Sequence, residues 1–278
     1  MKNHIIPFAA ALLLCLSSIA AAQVVDLGIN FGGNFYSGDL SSDDFGQVLQ
    51  ESRPAFGVFC RLSNRQQFST RFNLNFGGIQ GDDIRSKNPQ RMLNFRSNLW
   101  EFNVIEEWHS WRIRHSEYSH TFPYLYAGVG IFHYNPQGYL DGQWHDLQPL
   151  GTEGQGLAGY EQPYKRTQIN FPVGAGIRFV VRKFTFGFEA GGRLLLTDYL
   201  DDVSATLVNH KEVFDGNGPL AARLSNPNLP ANEGVDENYF RGSTRRDWYY
   251  MMNITLSYNF GNAIYKMFSN PVPCFKKW

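Results

Sequence analysis

The sequence predicts an all-β protein, an eight-stranded antiparallel transmembrane β-barrel with N- and C-termini in the periplasm, and three observations carry the expectation. First, 23 Phe, 14 Tyr and 6 Trp stand beside 27 Gly in 278 residues, a mixture that favours strands and turns over helix. Second, eight segments alternate apolar and polar side chains with the period of two that a strand requires. Third, the connections between them run long and short in the manner of outer-membrane barrels. Charge narrows the classes further. The 25 Lys+Arg balance 25 Asp+Glu, so the basic surplus of a nucleic-acid binder is missing. Past residue 22 no apolar run reaches the ~20 residues of a membrane helix, but a barrel strand shows lipid only every second residue and escapes that test.

Lys2, the apolar residues 5–16 and Ala20-Ala21-Ala22 before Gln23 follow the order of an export signal. Residues 1–22 are therefore expected to be a signal peptide, 23–260 the barrel and 261–278 a periplasmic tail. Leu12, Leu13 and Leu14 precede Cys15, where lipid anchoring would need a small residue. That leaves Cys60 and Cys274, too few for a disulfide scaffold. Both fall at the periplasmic end of the expected topology, where a disulfide would need Cα atoms within ~7 Å.

The first segment sets Val25, Leu27, Ile29, Phe31 and Phe35 against Asp26, Gly28, Asn30, Gly32 and Asn34. The second covers 53–62. In the third, 67–77, Phe68, Thr70, Phe72, Leu74 and Phe76 oppose Ser69, Arg71, Asn73 and Asn75. The fourth covers 95–107, and the fifth, 121–134, is less polar on both faces. In the sixth, 165–180, Ile169, Phe171, Val173, Ile177 and Phe179 oppose Gln168, Asn170, Gly174 and Arg178. The seventh covers 184–198. The eighth, 247–260, sets Trp248, Tyr250, Met252, Ile254, Leu256 and Tyr258 against Asn253, Thr255 and Ser257. Connections 36–52, 78–94, 135–164 and 199–246 are then external loops, and 63–66, 108–120 and 181–183 periplasmic turns. Segments of ~10 residues suit a tilted membrane strand, against ~5–6 for a soluble one. A soluble lipocalin-type barrel would turn its apolar face inward. Here that face suits lipid, so a charge at Phe72 is expected to disrupt assembly far more than one at Asn73.

On this register Asp26, Glu101 and Glu189 point inward with Arg61, Arg71, Arg178 and Arg193. Eight strands leave a lumen that side chains just fill, so the expectation is a plugged barrel with paired charges, without a pore. No catalytic residue, cofactor or metal site is expected. His109, His115 and His120 lie near Glu106 and Glu107, but their spacing matches no zinc ligand set, and a turn with interfacial Trp108 and Trp111 explains them better. His109-Ser110 and His145-Asp146 do not assemble a hydrolase on one strand face. Asp43-Asp44, Asp82-Asp83 and Asp201-Asp202 offer hard oxygens without the Asp-x-Asp-x-Asp-Gly ladder of a calcium loop, and are expected to be hydrated or to cap loops. The Gly-rich stretch 151–156 has no following Lys and no βα unit, so it is a loop, not a phosphate cradle.

Several stretches together carry a resemblance: Gly38-Asp39-Leu40, Arg53-Pro54-Ala55-Phe56-Gly57, Gly81-Asp82-Asp83, residues 127–132, residues 146–156, residues 197–204 and Asp247-Trp248-Tyr249. They resemble the PorG-like family of outer-membrane β-barrels of the type IX secretion system. The resemblance implies a non-enzymatic barrel linked to a periplasmic ring of two partners, a lipoprotein and its companion, that serves protein secretion and gliding motility. It supplies no catalytic residues. The alternative is a general surface barrel whose long external loops bind ligands or matrix.

Partner-binding candidates come from the tail and the 108–120 connection. Tyr265, Phe268, Phe275 and Trp278 mix with Lys276 and Lys277, and no acidic residue follows Gly261. Such a segment either lies against outer-membrane lipid headgroups or, with Trp108 and Trp111, docks the periplasmic ring proteins through aromatic anchors.

Overall fold

A computed structural model describes residues 24–261 apart from 43, 64–66, 87, 110, 111 and 245. Eight long strands are joined in one sheet: β1 (Val24–Ser37), β2 (Arg53–Ser63), β3 (Phe68–Asp82), β4 (Asn94–Trp108), β5 (Ser119–Leu140), β6 (Thr167–Val181), β7 (Phe184–Leu195) and β8 (Trp248–Asn259). Each pairs antiparallel with its neighbour in the chain. β8 then pairs with β1 from Asp26↔Asn259 to Ser37↔Trp248, which closes the ring. This is the eight-stranded antiparallel barrel that the alternation predicts.

The two faces divide as expected. Ile29, Phe31, Phe56, Val58, Phe188 and Ile254 project outward and are exposed, Phe31 by 64%, whereas Asn30, Arg61, Asn73, Glu101, Glu189 and Thr255 point inward and are buried. Phe35 departs from the pattern. It is buried where a short helix, α1 (Phe45–Gln50), lies against β1 and places Val48 beside it. Asn73 sits in the lumen, where its side chain donates to Asn103 Oδ1 at 2.6 Å, whereas Phe72 lies on the outward face.

Several strand limits also differ from expectation. β3 runs on to Asp82, past 77. β7 stops at Leu195, short of 198, because the chain turns in over the barrel mouth. β5 runs on to Leu140, where Gln143–Asp146 folds back and pairs with it, Gln137↔Asp146. The connection after β4, expected as a plain turn, contains a strand, Ile113–Ser116, that pairs with the start of β5.

The connections at 64–67, 109–118 and 182–183 share one end of the barrel with Val24 and Asn259. At the opposite end the connections at 38–52, 83–93, 141–166 and 196–247 build a cap. The last of these carries α2 (His210–Asn217), whose first turn is capped by the Asn209 side chain accepting from Glu212 N at 3.1 Å, and α3 (Pro219–Ser225). Leu207–Asn209 and Asn238–Phe240 add a small two-stranded sheet. The main apolar core lies where cap meets barrel, with Phe95, Leu99, Phe132, Tyr134 and Met251 from the strands against Leu40, Leu93, Leu200 and Val203 from the loops.

Glycines admit the inward tyrosine rings. A Cβ at Gly191 would lie 2.1 Å from the Tyr126 hydroxyl and 2.6 Å from Val173 O, whereas at Gly192, which faces outward, the nearest atom would be 3.4 Å away. Gly191→Ala is expected to cost about 1–3 kcal/mol by overpacking, and Gly192→Ala to be close to neutral. Urea titration of the refolded barrels checks the difference.

Candidate functional site

The lumen at the turn end is an ionic lattice, because side chains that alternate inward from closed strands must face one another. Glu107, fully buried on β4, receives Arg61 Nε at 3.0 Å from β2, Arg71 Nε at 3.2 Å from β3 and Arg178 Nη1 at 2.8 Å from β6. Arg61 also approaches Asp26 at 3.6 Å, and Arg71 forms a forked pair with Glu189, whose second carboxylate contact is 2.8 Å. Tyr124 donates to the same Glu189 at 2.5 Å. Three arginines thus face three carboxylates. Burying such charges is tolerable only when each is paired and hydrogen-bonded.

One layer further along, Glu101 is the acceptor for Asn75 at 3.0 Å, Asn170 at 2.7 Å and Arg193 at 3.3 Å, and also for Tyr249 and Asn103. The inward charges read from the sequence, Asp26, Glu101, Glu189, Arg61, Arg71, Arg178 and Arg193, are all buried here and paired. Glu107 was missed as their hub. Its parity with Glu101 on β4 was the available signal, obscured because Glu107 ends the segment beside the His/Trp-rich connection.

The cap is fastened by a second set of buried polar groups. Arg241 reaches Asp202 Oδ2 at 3.2 Å, Thr152 Oγ1 at 2.6 Å and Glu153 Oε1 at 3.6 Å. Glu153 accepts from Ser204 N at 2.8 Å and Ser204 Oγ at 2.5 Å. Arg91 forks onto Asp83 at 2.7 and 2.8 Å and also donates to Asp39 O at 3.0 Å, which joins two loops. On the barrel side, Tyr36 OH lies 2.5 Å from Asp201 and 3.1 Å from Asp247, and Asp247 accepts from Leu200 N at 3.0 Å. A phenol carries one proton, so the second of these bonds needs a proton on a carboxyl.

Two expectations are refined here. The acidic pairs cap loops as expected, Asp44 accepting from Gly46 N, Asp82 from Ile84 N and Asp201 from Val203 N, but Asp83, Asp201 and Asp202 are buried, not hydrated. The Gly-rich stretch is a loop as expected, yet it is a buried one: Gly151, Gly154 and Gly156 take positive φ, and a Cβ at Gly154 would strike the Tyr160 ring at 2.6 Å. The motifs at 38–40, 81–83, 146–156, 197–204 and 247–249, far apart in the chain, supply most of these clamps. Arg91, Glu153 and Arg241 carried no periodic signal and are functional only through that meeting.

Among the described residues the remaining candidates lie apart in separate local contacts, and Ser110 is outside them. His115 bonds Thr121 Oγ1 at 2.7 Å, His109 stacks edgewise on Phe122, and Asp146 accepts from Asn135 and Gln137. Trp108 sits partly exposed at the turn-end rim, between Phe68 and Leu125 of the flanking strands. Trp111, Tyr265, Phe268, Phe275, Lys276, Lys277 and Trp278 lie outside the described residues, as do the signal segment and Cys274. Cys60 faces outward and has no disulfide partner among the described residues.

Residues 6–218 match the family described as a domain of unknown function, DUF6089. The chain belongs to that family. No curated protein matches the DUF6089 chain. Among solved structures it is similar to Neisserial surface protein A (TM-score 0.41, 8% identity, 84% of this chain and 96% of that one). It is also similar to Ail, the attachment invasion locus protein of Yersinia pestis (0.38, 11%, 86% and 99%). A third is the N-terminal β-barrel domain of OprF from Pseudomonas aeruginosa (0.35, 9%, 86% and 98%). With TM-scores this low, the architecture of the DUF6089 barrel rests on its strand register, not on these likenesses.

Two predictions follow from the buried polar groups. Glu107→Gln leaves three buried arginines short of a countercharge and is expected to destabilise the barrel by roughly 3–5 kcal/mol, read as a lowered urea midpoint. The cap should respond to pH. Burial pushes the Asp201 carboxyl up to about 8, with Asp39 adding to the rise, and burial lifts Glu153 to about 7. The unfolded carboxyls titrate near ~4, so the folded cap holds protons that the unfolded chain releases. That stabilisation is complete below about pH 4 and is lost as pH rises through about 7 to 8. Amide exchange over 198–206, corrected for intrinsic rates, should therefore accelerate from pH 5 to pH 8, and Asp201→Asn should flatten the change.

Proposed function

We propose that this chain is a non-enzymatic outer-membrane β-barrel that anchors or assembles a periplasmic ring for a type IX secretion or gliding apparatus. The outward belt carries the membrane part. Phe56, Phe76, Trp100 and Tyr250 stand toward the cap end, and Phe68, Trp108, Phe184 and Tyr258 at the turn end, with aliphatic side chains and Phe102, Phe186 and Phe188 between them. From Trp248 to Tyr258 the belt rises ~25 Å at ordinary strand rise and tilt, the apolar height of an outer-membrane barrel. Closure leaves no unpaired strand edge in lipid. The short turns and both ends of the barrel then face the periplasm, and the cap faces outside.

The lumen, filled from Glu107 to the cap, supports a scaffold and not a conducting pore. The secretion role rests on the PorG-like resemblance: its partners would be the ring lipoprotein and its companion, met at the periplasmic rim by Trp108, Trp111 and the tail residues Tyr265, Phe268, Phe275, Lys276, Lys277 and Trp278. A second reading, a surface barrel that binds external ligands, is favoured by a polar cleft of about 540 Å³ in the cap between Tyr160, Glu161, Thr206, Asn209, Glu212 and Asn238.

Purification of the tagged full chain from detergent-solubilised outer membrane tests these readings. Heat-modifiable migration and retained periplasmic ring proteins are expected, and deleting residues 264–278 should keep the former and abolish the latter. Recovery as a soluble periplasmic monomer would remove the membrane reading. A membrane-inserted barrel without ring proteins would favour the surface-binding one.

A further inference from the structure

We propose that the outer wall of the barrel holds the acyl chains of one anionic phospholipid of the periplasmic leaflet, with the phosphate at the basic turn formed by Arg182 and Lys183. The inference rests on the membrane reading above and adds a specific ligand to it.

The wall is not evenly convex. Over β1 and β2 the outward side chains are short, Leu27 and Ile29 on one strand and Val58 and Cys60 on the other, and the register sets Leu27 opposite Cys60 and Ile29 opposite Val58. The Leu27–Cys60 row ends in rings on both sides, Tyr258 of β8 across from Leu27 and Phe72 of β3 across from Cys60, whereas the Ile29–Val58 row ends in Leu256 and Leu74. Phe184 packs edge-on against Tyr258, 5.3 Å between centroids, and raises that flank further. The result is a trough of 620 Å³ with an aliphatic floor and rings on both banks at its turn end, inside the ~300–1,000 Å³ range of small-ligand sites.

The banks stand on β8 and β3, three strand spacings or ~14 Å apart, and the floor between them is an open aliphatic face that suits the hydrocarbon of a lipid. Charge selects the headgroup. Lys183 Nζ lies 5.8 Å from the Tyr258 ring centroid, so the ammonium stands at the turn-end mouth of the trough, and Arg182 precedes it on the same exposed turn. Both lie at the end assigned to the periplasm, where phosphates of the inner leaflet would be. Glu106, the carboxylate on this wall, stands beyond the Phe72 bank and is bonded by Thr70 at 2.5 Å. It does not oppose the basic mouth.

The test is native mass spectrometry of the full chain released from nanodiscs that contain phosphatidylethanolamine and phosphatidylglycerol. The wild type should retain one phosphatidylglycerol in preference to phosphatidylethanolamine. Lys183→Ala should lower that retention about fivefold, the loss of one basic contact with an anionic lipid surface. Cys60→Phe, which fills the floor from outside without touching the lumen, should abolish retention of either lipid. Val173→Phe, on β6 away from the trough, should leave retention as in the wild type. Equal retention in all four proteins, or no preference between the two headgroups, would overturn the proposal while heat-modifiable migration still upholds the barrel in the membrane. Failure to insert in nanodiscs would overturn both.

Discussion

The pairing of β8 with β1 closes the sheet, and from that closure the interior follows. Once the ring is complete no strand edge is left, every inward side chain meets others across a narrow lumen, and water is largely displaced. A carboxylate or guanidinium that points inward must then find its partner on another strand. Glu107 shows the consequence: three arginines from three strands converge on one carboxylate, and none of those strands could satisfy its own charge alone. The buried pairs therefore tie together strands that are not neighbours, in a direction that the backbone ladder does not reinforce.

The same constraint shapes the cap end. There the inward residues become aromatic and aliphatic, and the loops supply the matching apolar surface through Leu40, Leu93, Leu200 and Val203. Burying that surface brings the loop carboxylates down with it. Asp83, Asp202 and Glu153 meet arginines, whereas Asp201 lies against Tyr36 and a backbone donor, where burial raises its carboxyl. One end of the barrel is thus fixed by ion pairs and the other by a packed, proton-dependent seal. A scaffold that stays shut is consistent with both.

Outside, the sequence alternates to an apolar belt, and small differences in side-chain size along that belt become relief. Aliphatic residues flanked by single rings are invisible as hydrophobicity, since every member is apolar. They become a trough only when the register sets Cys60 beside Leu27 and between Phe72 and Tyr258.

Much of this was legible from residue order alone, for a physical reason. A strand sends successive side chains to opposite faces, so the parity of Asp26, Arg61, Arg71, Glu101, Arg178, Glu189 and Arg193 was enough to place them inside once lipid was assigned to the apolar face. The number of strands and the alternation of long and short connections came from the same periodicity. Loops have no such period. That Asp83, Glu153, Asp202 and Arg241 are buried together, that the Gly-rich stretch is buried within the cap, and that Glu107 is a hub and not part of a solvated turn depended on contacts across large separations in the chain. Local pattern determined the wall of this protein, and only the closed tertiary structure decided its contents and its seal.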